Sequence, residues 1–328
     1  MWNNVRPSRA ALHSSDGIFT EVHITNSRIR NWAPGSHVLL SIPRYGVGQS
    51  HPATIFSTPS SHNGDLIFIL RARGGFTKRL ASRATASEKI PEHSPGTEKV
   101  ISEESFFCVV DGPYGGCQAD FASYETVLLL AGSTGITFVL SILLDLAGRV
   151  QTQKLPVRNL VLVWSVKDVS HIKYVSGELQ AAFGQLQRAG IEIQLKLFIT
   201  CKTNFSSSAS SPPRPTDRHF NTAASQACRL PYEPQQYEDI LIDGAHTRHG
   251  SASETTLDSR FDCAITEFGR PDIERILTEI SGQAKGETGV AVCGPLGMNA
   301  TTRRAVAKLQ SPKWGRKSIY LHVEGFSW

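Results

Sequence analysis

The segment Ser50-His51-Pro52-Ala53-Thr54-Ile55-Phe56-Ser57-Thr58-Pro59 lines up an imidazole and several hydroxyls on one extended stretch. Pro52 cannot donate a sheet hydrogen bond, so the segment belongs at a strand start or a sheet edge. Such an edge, carrying His51, Thr54 and Ser57, can hold a flat, polar-rimmed ligand with a phosphate tail. The same residues also suit a surface turn entering an ordinary strand. A second segment, Arg71-Ala72-Arg73-Gly74-Gly75-Phe76-Thr77-Lys78-Arg79-Leu80, follows an apolar run. Its two glycines admit close backbone approach to an anion, and a helix is expected to begin near Thr77. Helix N-termini favour negative charge by roughly 0.3–1 kcal/mol, and Lys78 and Arg79 add positive charge. A hairpin turn with solvated basic residues is the competing reading.

Two further segments end predicted strands. Leu130-Ala131-Gly132-Ser133-Thr134-Gly135-Ile136-Thr137 lacks the G-x-G-x-x-G spacing of a dinucleotide fingerprint. It still sets two glycines and two hydroxyls at a strand-to-helix turn, where a pyrophosphate would sit. In Val290-Ala291-Val292-Cys293-Gly294-Pro295-Leu296-Gly297-Met298 a strand ends in a thiol, followed by a Gly-Pro turn into a helix. Cys293 either faces a reacting ring beyond the strand end or acts as a small buried hydrophobe. The chain closes on Tyr320-Leu321-His322-Val323-Glu324-Gly325-Phe326-Ser327-Trp328, where Trp328 can stack on a planar group.

These segments need a scaffold, and the periodicity supplies one. Residues 19–25 and 37–42 alternate, and 66–70 and 105–110 are apolar strands with turns between them. Several short strands of this kind predict a small antiparallel barrel. From about residue 122, strands at 126–130, 160–166, 191–200, 289–293 and 319–323 alternate with helices at 136–146, 174–189, 272–281 and 300–310. That alternation is the pattern of a doubly wound parallel sheet. The expected domains are 1–121 and 122–328, the second interrupted by a Ser/Pro-rich, low-complexity insertion at about 203–260.

The 328 residues suffice for two domains, and 40% hydrophobic with 19% charged residues is a globular composition. A net charge of +5 without a clustered basic stripe argues against nucleic-acid binding. Six cysteines without a C-x-x-C pair argue against a zinc cage or a disulfide framework, and fit a reducing compartment. No apolar leader is visible. The apolar stretch 127–147 is broken by Gly132-Ser133-Thr134-Gly135, which predicts strand, turn and helix rather than a membrane span. The chain itself is therefore expected to be soluble.

In this order the segments resemble the ferredoxin–NADP reductase-type flavoproteins. Within them, the resemblance is to the C-terminal dehydrogenase region of fungal ferric-chelate reductases, relatives of the NADPH oxidases. It is carried by Trp32-Ala33-Pro34-Gly35-Ser36-His37, His51-Pro52-Ala53-Thr54-Ile55, Gly74-Gly75-Phe76-Thr77-Lys78-Arg79-Leu80 and Gly112-Pro113-Tyr114-Gly115. It continues through residues 131–137, Val163-Trp164-Ser165-Val166-Lys167-Asp168, Phe268-Gly269-Arg270-Pro271-Asp272, and the Cys293 and Glu324 segments.

The resemblance implies FAD on an N-terminal antiparallel barrel and NADPH on the α/β domain. His51, Pro52, Thr54 and Ser57 would contact FAD, and Gly75, Phe76 and Thr77 would cradle its pyrophosphate. Gly132, Ser133, Thr134, Gly135, Ile136 and Thr137 would hold NADPH, with Gly294 and Pro295 at its nicotinamide and Arg270 as a further contact. Lys167 would take the 2′-phosphate, although Asp168 beside it suits a free 2′-hydroxyl. Cys293, Glu324 and Trp328 would form the catalytic end, with Trp328 over the flavin. The implied activity is an NADPH-dependent ferric-chelate reductase-type flavin oxidoreductase at the cytosolic face of a membrane. Haem would lie in a membrane region supplied in cis or by a partner. The dehydrogenase part of an NADPH oxidase, a soluble diaphorase and a non-catalytic remnant are the alternatives. The family motif has an aromatic residue where Ala53 stands, which predicts a lost flavin contact that Phe or Tyr would restore.

Overall fold

The computed structural model describes residues 5–14, 16–25, 28–88, 105–200, 264–311 and 318–325. The alternation in the first third of the chain becomes strand alternation. β2 (Phe19–Ile24) and β3 (Ser36–Ser41) turn every second residue into a buried interior. With β1 (Val5–His13), β4 (His51–Thr54), β5 (Leu66–Arg71) and β6 (Phe106–Gly115) they form an antiparallel sheet in the order β4-β3-β6-β1-β2-β5. Beyond β4 the chain turns back on β5, where Phe56 N donates to Ile67 O at 3.1 Å. This brings the two ends of the strand order together as a nearly closed barrel. Helix α1 (Gly75–Glu88) follows β5, and its Phe76, Leu80 and Ala84 join the barrel core.

β1 is not evident in the sequence. It has Pro7 and few β-branched residues, and its strand form comes from pairing with β2 on one side and β6 on the other. β5 is apolar on both faces for a definite reason. Leu66, Phe68 and Leu70 point into the barrel, whereas Ile67 and Ile69 point out into the core of the second half, together with Phe19 and Phe56. The two halves thus share apolar packing across one strand.

The second half is a fully parallel sheet in the order β10-β9-β8-β7-β11-β12. Its strands are β7 (Thr126–Gly132), β8 (Asn159–Val166), β9 (Glu192–Ile199), β10 (Ala264–Phe268), β11 (Thr288–Gly294) and β12 (Ile319–Gly325). Val127, Leu129 and Ala131 of β7 face helices α2 (Ile136–Arg149) and α3 (Ser176–Arg188). Leu128 and Leu130 face α4 (Ile273–Gln283) and α5 (Leu296–Leu309). Both faces are covered, so the strands read as continuous apolar runs. The apolar stretch that begins at Val127 is β7, a turn and α2. No helix among the described residues is long and apolar enough to cross a membrane. The low-complexity insertion lies outside the described residues.

Candidate active site

The chain lays β7, β8, β9 and β10 to one side, then returns to place β11 and β12 on the other. The switch point is therefore between β7 and β11, and ligands of open α/β sheets bind beyond the carboxyl ends of the strands there. The two glycine segments meet at this point. A Cβ on Gly132 would sit 2.6 Å from Pro295 Cδ and 3.2 Å from Gly294 Cα. A Cβ on Gly294 would sit 2.6 Å from Met298 Sδ. Gly132 has no room for a Cβ against Pro295, and a Cβ on Gly294 would displace the Met298 side chain, so the two turns pack close together at the strand ends.

Past Gly132, Ser133 takes a left-handed φ of 53°. The indole of Trp164 holds it there, its Nε1 donating to Ser133 O at 3.1 Å. Ser133 and Thr134 are half-buried, whereas Gly135, Ile136 and Thr137 are buried. Thr137 Oγ1 donates back to Thr134 O at 3.0 Å. Within this turn Ile136 and Thr137 offer main chain and packing, while Ser133 and Thr134 present side chains.

Cys293 is buried, with Ala131 and Glu324 as its partners in register. Burial first, and the Glu324 carboxylate second, push its thiol pKa far above the usual range. Cys293 is therefore a protonated, compact wall and not a nucleophile. Lys167 is exposed just past β8. Asp168 accepts from Ser170 N at 2.8 Å and caps the short 3-10 turn Val169–Tyr174, so its carboxylate has a structural task. Arg270 lies between β10 and α4, and β8 and β9 separate its strand from β7. It is not brought to the glycine pair, because β10 joins the outer edge of the sheet. Trp328 lies outside the described residues.

On the barrel, β4 is the first strand in the order, which accommodates Pro52. The His51 ring lies 5.8 Å from Phe76 at the start of α1, so the first two sequence segments adjoin. Burial lowers the His51 pKa, leaving a neutral imidazole at pH 7. Thr54 pairs in register with His37, whose ring lies 6.1 Å from Tyr114. Space is open on the free side of Gly74 and Gly75.

The structure bears on three of these expectations. Ser57 is fully buried; its hydroxyl donates to Asp65 O at 2.7 Å and accepts from Ile67 N at 3.1 Å, while its carbonyl accepts from Trp32 Nε1 at 2.9 Å. It splices the barrel shut, and neither its hydroxyl nor its carbonyl is left for a ligand. The Thr77 hydroxyl accepts from Arg73 N at 3.1 Å and donates to Gly74 O at 3.2 Å, and the Phe76 ring belongs to the barrel core. Both can offer a ligand main-chain N–H groups only. Ala53 faces Val38 inside the barrel and is 1% exposed, so an aromatic ring there would enter the core instead of meeting a flavin.

One residue that the sequence reading passed over joins the halves. Arg71 ends β5, and its Nη1 donates to Ser133 Oγ at 3.4 Å while its guanidinium lies 6.0 Å from the Phe19 ring centroid. A fixed cation thus stands between the α1 start and the β7–α2 turn. Its signal is an arginine ending a strand that is apolar on both faces. The Cβ-excluding glycine pair, the open glycines before α1 and this cation all fit two phosphate-bearing cofactors.

Residues 124–307, more than half of the chain, match the family model described as the ferric reductase NAD binding domain. The chain belongs to this ferric reductase domain family. Residues 4–118 match an FAD-binding domain. This ferric reductase-type chain thus pairs an FAD-binding with an NAD-binding domain, the make-up of an NAD(P)H-dependent flavin oxidoreductase. It is 22% identical to a probable cell surface ferric reductase of Aspergillus oryzae, over 93% of this chain and 49% of that one. It is 30% identical to a ferric reductase transmembrane component of Schizosaccharomyces pombe, over 45% of this chain and 30% of that one. The chain thus spans about half the length, or less, of these curated relatives. Among solved structures, a ferredoxin NADP+ reductase from Neisseria gonorrhoeae aligns over 98% of both chains, with a TM-score of 0.52 at 12% identity. One from Plasmodium falciparum aligns over 98% of this chain and 96% of its own, with a TM-score of 0.53 and 12% identity. These two share the fold: a barrel followed by a parallel sheet.

Proposed function

We propose that this chain takes a hydride from NADPH onto FAD and sends single electrons toward ferric iron, through haem in a membrane region carried in cis or by a partner. Bound FAD supplies the conversion between a two-electron donor and a one-electron acceptor. The observation that carries the reading is the Arg71–Ser133 bridge, which couples an open helix start on the barrel to the turn beside the close-packed Gly132–Gly294 pair on the sheet. The relatives' names, ferric reductases, favour iron as the final acceptor.

In this reading His51, Pro52 and Thr54 orient the flavin from the barrel edge, and the neutral His51 does so by hydrogen bonding and not by charge. The first N–H groups of α1, at Gly75, Phe76 and Thr77, receive the FAD pyrophosphate. Those of the 132–137 turn receive the NADPH pyrophosphate, and Arg71 offsets negative charge between them. Gly294 and Pro295 let the nicotinamide approach the backbone, and Cys293 bounds it without competing as a base. Glu324 holds a carboxylate on the same sheet face as Cys293, Trp328 covers the flavin, and Lys167 receives the 2′-phosphate. The Ser57 hydroxyl stays in the scaffold, and Arg270, beyond the outer strand, is left to the adenosine side of NADPH.

Purified protein incubated with FAD should retain the visible flavin absorbance and lose it on adding NADPH, faster than with NADH. Protein that retains no flavin overturns the reading. Adding membranes that carry a haem-bearing ferric reductase region should then give NADPH-dependent reduction of a ferric chelate; flavin bleaching without iron reduction would sink the iron-directed half.

A further inference from the structure

Three elements converge on His322, in β12. From the segment after β6 comes Cys117, a buried free thiol anchored by its N–H to Pro34 O at 2.8 Å and hydrogen-bonded to the imidazole. From α2 comes Phe138, stacked on the imidazole with centroids 5.2 Å apart and planes 14° from parallel. From β12 itself comes Glu324, with Oε2 3.5 Å from His322 Nε2. Residues two apart on a strand share a face. The β11 partners of His322 and Glu324 are Ala291 and Cys293, so the imidazole, carboxylate and thiol leave the sheet on one side. Phe138 is braced by the barrel: a Cβ on Gly35 would lie 2.3 Å from its ring. Asn299 Nδ2 fixes the strand end by donating to Glu324 O at 2.8 Å.

We propose that His322 is a positioning residue: its ring holds the Glu324 carboxylate in place beside Cys293 and ties that strand end to Cys117 on the barrel side. The inference rests on the functional reading above and adds to it the residue that presets the hydride end of the crevice. The hydrogen bonds from Cys117 and Glu324 outweigh burial and push the imidazole pKa up to about 9. A protonated ring has two N–H donors, one for each partner, and a neutral ring has one. The stabilisation is therefore complete below the ordinary histidine value of 6.5 and is lost as pH rises through about 9. The titratable groups around the ring are Cys117 and Glu324 directly, Cys293 through Glu324, and Tyr124 and Tyr320 beside Cys117. Phe138 brings no charge.

The test uses the FAD-loaded 328-residue chain, wild type and His322→Gln, with NADPH-driven bleaching followed by stopped flow from below pH 6.5 to above pH 9. Wild type should slow on the alkaline side. The variant should be roughly ten- to hundredfold slower at neutral pH, with a flat profile and unchanged FAD retention. Independently of activity, the His322 ring resonance in NMR should titrate near pH 9, and Glu324→Gln should lower that midpoint. Wild-type bleaching and pH profile in His322→Gln would overturn the inference while leaving the functional reading intact. A ring titrating near 6.5, or one indifferent to Glu324→Gln, overturns it even where His322→Gln does not fold. Failure of the wild type to take up flavin removes the functional reading itself, and the positioning role with it.

Discussion

The barrel and the sheet build their parts of the site in opposite ways. On the barrel, side chains that look ligand-ready are spent on the scaffold: Ser57 joins β5 to the segment after β4, and Thr77 closes its own turn. What remains for a ligand is an edge strand and a helix start with open space before it. On the sheet, the site is defined by a close backbone approach, because Gly132 packs against Pro295 where a Cβ does not fit and Gly294 packs beside it under Met298. Hydroxyls near a ligand site are poor guides when the main chain competes for them, whereas a close backbone approach is a strong one.

The contrast predicts unequal responses to substitution. Gly132→Ala should have the largest effect. Its Cβ meets the Pro295 ring at 2.6 Å, a neighbour that cannot swing away. Overpacking of this kind costs about 1–3 kcal/mol, and NADPH-driven bleaching should fall roughly a hundredfold with FAD retained. Loss of FAD together with NADPH binding would show that the halves do not act separately.

Ala53→Phe should come next and act on the barrel alone. The ring enters a filled interior beside Val38, so unfolding in urea should shift by about 1–3 kcal/mol and FAD should bind more weakly. Tighter FAD binding would mean that the strand turns this position outward when flavin is present. Lys167→Ala should have the smallest effect, since Lys167 is exposed and outside both cores. The preference for NADPH over NADH should drop about tenfold, near 1.4 kcal/mol, with no change in thermal unfolding. An unchanged preference would move the 2′-phosphate contact elsewhere.

Much of the architecture was legible from local pattern. The strands of the sheet and their helices fall close to the expected places, because apolar period and Gly/Pro punctuation act within a few residues. α5 starts at Leu296, four residues before the expected start, because Pro295 stands as its N-cap and the glycine after Leu296 does not prevent the turn. β1 and β10 were not legible. Both owe their form to neighbours, β1 to β2 and β6, and β10 to β9 alone.

The sequence by itself determined the element types, their order and the strand ends at which glycines, the thiol and the proline stand. Those depend on near-neighbour sterics that each segment carries with it. Only the tertiary structure decided which polar groups remain available and which distant segments meet. Ser57 and Ala53 lose their expected roles because register turns one into a barrel splice and the other inward. Gly132 meets Gly294, Arg71 meets Ser133, and Cys117 meets His322, because strand order and the packing of barrel on sheet join residues far apart in the chain.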